Sequence, residues 1–389
     1  MDLNKPKVLF IFGTRPEGIK MAPIIKAFRA CDCFDTKVAV TGQHREMLDS
    51  VMKFFDIEVD FDLDVMKPNQ NLISLTGDVL LGLRKVMDEV KPKYVFVQGD
   101  TTTTMAGAIA GMYAQAQVCH VEAGLRTWDK WAPFPEESNR CITGSIADWH
   151  FPPTSTSEAN LLKENVSPTK IVVTGNTVID ALYEGLDIVK NSPDNEEIIE
   201  LKFKVNFSKK VILVTGHRRE NHGQGFLDIC KALREIADTE DVEIVYPVHL
   251  NPNVQGPVYE LLSDCKNIHL VKPLAYNSFI WLMDMCDVIL TDSGGVQEEA
   301  PSLGKPVLVM RTTTERPEAV SAGTVILVGT DKDKIVNETK DLLHNAKRYE
   351  QMSRLINPYG DGEASERIVD FIKQVEEEEM REQGVLVNK

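Results

Sequence analysis

The chain reads as an α/β protein of two domains, each carrying a parallel β-sheet with helices on both faces. Three observations predict this. Short apolar runs alternate with longer helical patterns along most of the length. The runs are continuously apolar, as strands buried on both faces require. At 389 residues the chain is too long for one ordinary core, so two domains of roughly 150–200 residues follow.

The first series of apolar runs falls near 8–12, 37–40, 94–97, 118–121 and 171–173. The second falls near 211–214, 242–246, 268–271, 288–290, 307–310 and 325–328. Helical patterns lie between them, for example at 71–90, 226–237 and 332–343. The alternation pauses between 177 and 207, where one amphipathic segment (178–189) precedes the polar run NSPDNEEIIELKFKVNFSKK. The domain boundary is expected there, giving domains at 1–176 and 177–363. A last helix at 364–389 carries the acidic run EEEE at 376–379, and its final turns are expected to be solvated or frayed.

Composition narrows the function. Hydrophobic residues make up 43% and charged residues 26%, as in ordinary soluble domains. The net charge of −16 argues against a general nucleic-acid binder and against an anionic membrane surface. It leaves room for a phosphorylated small ligand, because local donors override global charge. The N-terminal segment has no apolar stretch of signal-peptide form, and no segment approaches the length that spans a bilayer. The seven cysteines are scattered, and Cys31 and Cys33 lack CxxC spacing. All are expected to be reduced, in a cytoplasmic protein.

Charged or polar residues sit just past several of the apolar runs: Arg15, Asp100, Glu122, His217, and Asp292 with Ser293. In open α/β sheets ligands bind outside the carboxyl ends of the strands, so these positions predict one site served by both domains. In GTRPEGIK a strand ends, Gly13 turns the chain and a helix begins. Its amides and the cations Arg15 and Lys20 suit an anion, although a plain strand–helix turn with solvated charges reads equally well. The segment is neither a dinucleotide fingerprint nor a Walker A loop. In QGDTTTT, Asp100 taken alone reads as the cap of the following helix, and the four threonines read as a hydroxyl-rich rim. In HVEAGLRT and PFPEESNR, a strand delivers Glu122 and a proline-rich loop delivers Glu136 to a helix start. Carboxylates confined together can divide the roles of acid and base.

His217 and His222 in GHRREN come with no H-E-x-x-H pattern and no cysteine pair, so a zinc site is not supported. An imidazole facing a phosphate or a proton-transfer site fits better. The most specific segment is TDSGGVQEEA. Ser293, Gly294 and Gly295 turn a strand into a helix whose bare backbone admits a diphosphate. Glu299, about one turn in, suits the two hydroxyls of a ribose. An ordinary capped helix is the bland alternative.

Taken together these segments resemble the non-hydrolysing UDP-N-acetylglucosamine 2-epimerases. The matching motifs are FGTRPEGIKMAP, TGQHREML, QGDTTTT, HVEAGLRT, PFPEESNR, VTGHRREN, YPVHLNP, LTDSGGVQEEAPSLGKPVLVMR and TTERPEA, in consistent order from about residue 10 to 320. The resemblance implies a GT-B fold: two Rossmann-like domains with parallel sheets facing a central cleft, and a C-terminal helix crossing back to the first domain. It implies interconversion of UDP-N-acetylglucosamine and UDP-N-acetylmannosamine through 2-acetamidoglucal, without metal or redox cofactor, in a homodimer. By the same resemblance Asp100, Glu122 and Glu136 are the acid–base set. His217, Arg15 and Lys20 then assist on the diphosphate side. Ser293, Gly294 and Gly295 hold the phosphates, Glu299 the ribose and Arg316 a further anionic contact. Uracil lies against the segment containing Leu274, with Phe279 as the packing ring.

Some family members bind a second UDP-N-acetylglucosamine as an obligatory activator. The corresponding positions here include Gln43 and His249, but Glu46 stands where a glutamine recurs and Asn69 where an arginine does. An added carboxylate and a lost guanidinium predict weaker activation. Three rival readings use much of the same chain. A glycosyltransferase needs an acceptor site and has no use for the carboxylate trio. A hydrolysing relative releases free sugar, and a nucleotide-sugar sensor binds without exchanging the C2 proton.

Overall fold

The computed structural model describes residues 5–42, 45–67, 70–192 and 194–382. They divide into two compact units: residues up to Ala181 together with those from Tyr359 onward, and Leu182–Pro358.

The first unit holds β1 (Lys7–Phe12), β2 (Asp35–Val40), β3 (Phe61–Asp62), β4 (Tyr94–Gln98), β5 (Gln117–Val121) and β6 (Trp149–Phe151), in the order β3-β2-β1-β4-β5-β6. The second holds β7 (Lys210–Thr215), β8 (Val242–Pro247), β9 (Ile268–Val271), β10 (Val288–Thr291), β11 (Val307–Val309) and β12 (Val325–Leu327), in the order β12-β11-β10-β7-β8-β9. Every pairing in both sheets is parallel. Counted from its own first strand, each unit has the doubly wound order 3-2-1-4-5-6. The central strands are apolar throughout because both faces are covered: Val8 to Phe12, and Ile212 to Val214, are fully buried.

The predicted strands appear at their places, with one exception. The run at 171–173 contributes only a single bridge, from Ile171 to His150, because a 3₁₀ turn at Pro168–Lys170 leads into it. Two strands had no warning in the sequence. β3 and β6 are two and three residues long and lie at the sheet edges, too short to show any period. The polar stretch after 190 is also not wholly a linker. It contains the helix Glu196–Lys204, capped by Asn195 and anchored by buried Ile198 and Leu201.

The terminal helix, Ala364–Glu382, packs within the first unit. Ile368, Val369, Ile372 and Val375 are buried, and Phe371 meets Trp149 and Phe151 edge-on at 5.0 and 5.9 Å. The acidic run is not all solvated, contrary to expectation. Glu376 and Glu379, three residues apart on one face, pair with Lys93, and Gln117 Nε2 donates to Glu379 at 2.9 Å. Burial would lower the Lys93 ammonium, but the two carboxylates hold it above its ordinary value.

In each sheet the winding direction reverses between the two middle strands, and there the turns must be fixed. In the first unit the fixing group is Glu17, which is 2% exposed. Its Oε2 accepts from the amides of Gly13 (3.1 Å) and Thr14 (2.8 Å), while Oε1 accepts from the hydroxyls of Thr101 (2.7 Å) and Thr104 (3.1 Å). One carboxylate therefore ties the turn after β1 to the turn after β4. The threonines are interior rather than a rim. Thr104 shares its single hydroxyl proton between Glu17 and Gln98 O, the latter at 2.6 Å, and Thr103 meets Thr41 at 2.9 Å. Gly13 is required at this crossing, since a Cβ would fall 2.0 Å from Thr41 Oγ1. In the second unit Asp292, fully buried, accepts from the amides of His217 (2.9 Å) and Arg218 (2.8 Å), joining the turns after β10 and β7. Its Oδ2 braces backbone, a task its place just past the strand did not announce.

Two measurements check this description. Replacing fully buried Ile372 by alanine is expected to lower stability by about 3 kcal/mol, through lost burial and a cavity. The exposed neighbour Glu377→Ala is expected to stay within about 0.5 kcal/mol, both read from urea unfolding. For Glu17, burial raises the carboxyl above its ordinary 4.5, outweighing the hydrogen bonds that lower it. The stability it lends is complete below pH 4.5 and is lost as pH rises through the raised native value. Glu17→Gln keeps the shape without the charge. Its thermal midpoint should gain on the wild type as pH climbs above 4.5, and parallel curves would refute the assignment.

Candidate functional site

The first unit gathers the predicted carboxylates past the ends of β4 and β5. Asp100 does not cap the next helix, as its local sequence suggested. Thr101 takes that place, its hydroxyl accepting from Thr104 N. Asp100 is thereby released to Arg140, whose Nε and Nη2 both reach Oδ2, at 2.9 and 2.6 Å.

Glu122 directly follows β5 with φ of +60°, a left-handed conformation that a glutamate adopts at some cost. The side chain is nearly buried, and Lys20 Nζ lies 2.6 and 2.7 Å from its two oxygens. Asn176 Nδ2 donates to it at 3.2 Å, and Gln98 Nε2 donates from the end of β4. Gly99 (φ +72°) faces it closely enough that a Cβ would stand 3.6 Å from Glu122 Oε2. The turn carrying Asp100 and the carboxylate of Glu122 are therefore neighbours. His120 holds that turn from beneath, with Nε2 2.8 Å from Gly99 O. Burial pushes its imidazole down to about 3, so it is a neutral donor.

Glu136 opens the helix Glu136–Ile146, and its Oε2 is shielded from solvent without a hydrogen-bond partner. The adjacent Glu137 has a different task. It is almost fully buried and accepts from the amides of Thr127 (3.1 Å) and Trp128 (2.9 Å) and from Arg140 Nη1 (3.0 Å). Burial would raise it, yet these donors hold it below the ordinary value.

The amino end of the helix Arg15–Ala30 offers less to an anion than its sequence suggested. Thr14 and Glu17 form a reciprocal cap that engages the amides of Gly13, Thr14 and Glu17. Arg15 stands half-buried at the first helical position, and Lys20 is joined to Glu122.

The second unit carries a different set of groups. Ser293 stands at the N-cap position of the helix Gly294–Glu299 without a side-chain capping bond, and its own amide donates to Thr291 Oγ1 at 2.9 Å. Two guanidiniums converge on the bare turn. A Cβ on Gly294 would stand 3.7 Å from Arg316 Nη2 and 4.0 Å from Arg218 Nη2. Arg316 is oriented by Glu298, while Arg218 Nε is buried without a partner. Glu299 is nearly buried, with Oε2 3.6 Å from the Cβ position of Gly295. Leu274 and Phe279 lie half-buried before and within the helix Tyr276–Met285.

His217 Nδ1 is 3.4 Å from Asp292 Oδ1. Burial lowers its imidazole, Asp292 raises it, and Arg218 and His249 lower it, for a net shift downward. Its ring stacks on His249, with centroids 5.5 Å apart. Side-chain-free backbone beside two guanidiniums is a receptor for a diphosphate. Carboxylates with distinct partners suit proton transfer. Gln43 lies outside the described residues. Among the described residues no cluster of His, Cys, Asp and Glu could hold a metal ion, and no helix is long and apolar enough to cross a membrane.

Sequence reasoning passed over Gln98, Arg140, Asn176 and Arg218. A polar Gln98 ending the apolar run YVFVQ, and Arg218 directly after His217, were legible signals. Nothing local announces Asn176, which is 54 residues from Glu122.

The comparisons agree with this geometry. The family model for UDP-N-acetylglucosamine 2-epimerase matches residues 26–373. The UDP-N-acetylglucosamine 2-epimerase of Escherichia coli K12 is 55% identical over 94% of this chain and 98% of its own length. That of Campylobacter jejuni is 52% identical over 94% and 97%. The Neisseria meningitidis UDP-GlcNAc 2-epimerase, solved with UDP-GlcNAc, superimposes with a TM-score of 0.86 at 48% identity, covering 95% of this chain and all of its own. The Methanocaldococcus jannaschii enzyme gives 0.83 at 34% identity, covering 95% and 99%. The two doubly wound sheets are thus a GT-B fold, and the chain belongs to the UDP-N-acetylglucosamine 2-epimerase family.

Proposed function

We propose that the chain is a non-hydrolysing isomerase that interconverts UDP-N-acetylglucosamine and UDP-N-acetylmannosamine, supplying N-acetylmannosamine units for surface polysaccharide. The observation that carries this reading is the carboxylate set of the first unit: Asp100 on Arg140, Glu122 on Lys20, and Glu136 with a shielded, unpartnered oxygen. A fold that only bound or transferred a nucleotide sugar would not need three acids in such different settings. Homologues at about half identity over nearly the whole chain support the same substrate.

In this reading the second unit holds the nucleotide. Leu274 and Phe279 pack against uracil, and Glu299 accepts from the ribose hydroxyls. The turn Ser293–Gly294–Gly295, with Arg218 and Arg316, takes the diphosphate. The acids of the first unit work at C2 of the sugar. One carboxylate removes the C2 proton, and the C1–O bond to UDP breaks on the opposite face. The electron pair of the broken C2–H bond becomes the C1–C2 double bond of 2-acetamidoglucal. The charge that leaves with UDP is stabilised where cations and amides already converge, with His217 beside them. A second carboxyl group then protonates C2 from the other face, and UDP adds back to C1. Arg15 and Lys20 complete the cationic surroundings. The protein acts as a cytoplasmic homodimer.

The reading is tested by proton NMR of UDP-N-acetylglucosamine with the protein in deuterated water. Deuterium should enter C2 while UDP-N-acetylmannosamine appears and both products keep their UDP. Free N-acetylmannosamine with UDP would instead mark a hydrolase, and an unchanged C2 signal a mere binder. Asp100→Asn, Glu122→Gln and Glu136→Gln are each expected to slow turnover about 100-fold or more with UDP affinity largely kept. Activation gives a further check. Asn69 lies outside the described residues, and Glu46 is exposed on the helix Arg45–Phe54. Turnover of UDP-N-acetylmannosamine alone is expected to proceed without added UDP-N-acetylglucosamine, and a strict requirement for a trace of it would refute the prediction.

A further inference from the structure

The acids of the first unit come from separate stretches of chain, and proton transfer demands that they be held to within a fraction of an ångström. Asp100 rides on the turn after β4, whereas Glu136 begins a helix approached through a long loop. Something must register that helix against that turn. Two consecutive residues of the helix do so. Asn139 Nδ2 donates to the backbone carbonyl of Asp100 at 2.8 Å, fixing the turn itself. Arg140 donates Nε and Nη2 to Asp100 Oδ2 and Nη1 to Glu137 Oε2.

The two carboxylates on this guanidinium differ in exposure. The side chain of Glu137 is 2% exposed and that of Asp100 is 26% exposed, with Arg140 between them at 11%. Glu137 is already immobilised by the amides of Thr127 and Trp128, so it acts as the anchor for the fork. Asp100 is the open end. Both of its contacts to the fork use one oxygen, Oδ2. Burial alone would weaken the Arg140 cation, but Asp100 and Glu137 together raise it above its ordinary value.

We propose that Arg140 is a positioning residue for the epimerisation, a fork anchored on Glu137 that aims Asp100 and sets its distance from the helix start bearing Glu136. The inference rests on the isomerase reading above. A planar fork fixes direction as well as distance, so lysine is no substitute for it. The other charged groups near this turn are Glu17 through Thr101, the Lys20–Glu122 pair beside Gly99, and neutral His120 beneath it. The guanidinium of Arg140 bonds instead to Asp100 and Glu137.

The test compares wild type, Arg140→Lys and Arg140→Gln with UDP-N-acetylglucosamine carrying hydrogen or deuterium at C2. Arg140→Lys keeps the charge and is the variant that retains the fold if glutamine does not. Both are expected to lower kcat by about 30-fold or more while KM and UDP affinity change less than about threefold. The isotope effect on kcat should rise, because a misaimed carboxylate makes proton transfer the slow step. A merely structural role would lower kcat in proportion to the folded fraction and leave the isotope effect unchanged. That result, or a kcat of Arg140→Lys within twofold of wild type, would overturn the inference while leaving the isomerase reading intact. A wild-type protein that exchanges no C2 proton would sink both.

Discussion

Parallel sheets of this topology bring their strands to an abrupt end where the winding reverses, and the amides exposed there must find partners out of contact with water. Each unit meets that demand with one buried carboxylate. Glu17 collects two amides from the turn after β1 and two hydroxyls from the turn after β4. Asp292 collects two amides from the turn after β7 while itself following β10. Unsatisfied amides in such places are costly, so these two side chains fix the geometry of everything mounted on the turns. Arg15, Lys20 and Asp100 are placed by the first, and His217, Arg218 and Ser293 by the second.

On that base the two units specialise by what surrounds similar turns. In the second, the chain loses its side chains at Gly294 and Gly295, and guanidiniums move in. In the first, three acids each have their own setting: a fork on Asp100, an ammonium on Glu122, and no hydrogen bond on one oxygen of Glu136. Identical groups with unlike neighbours are what acid–base chemistry needs. The left-handed backbone of Glu122 belongs to the same pattern. Strain at that residue persists because Lys20, Gln98 and Asn176 over-determine its position.

How far the sequence reveals this depends on whether the determining partners are near or far along the chain. The strand VLFIF is legible because burial on both faces leaves a continuous apolar run, and the edge strand Phe61–Asp62 is not, because two residues have no period. Ser293 and the two glycines are legible because a bare strand–helix turn has a chemical meaning in itself. Asp100 is misread locally because either it or Thr101 can cap the same helix, and the choice is settled by Arg140, 40 residues away. Glu17 is passed over for the same kind of reason: its hydroxyl partners lie 84 and 87 residues further on. Glu376 and Glu379 look like a solvated run until Lys93 and Gln117 are brought beneath them.

That last contact has a consequence for biosynthesis. The first unit needs the helix Ala364–Glu382 to cover Trp149 and Phe151 and to neutralise Lys93. Those residues leave the ribosome after the whole of the second unit has been made. The first sheet must therefore wait, with an apolar face uncovered, through the synthesis of Leu182–Pro358, whereas the second unit emerges as one uninterrupted stretch. The sheet made before the second unit is finished after it, and a nascent chain stalled before Ala364 would leave that sheet open to chaperones and proteases.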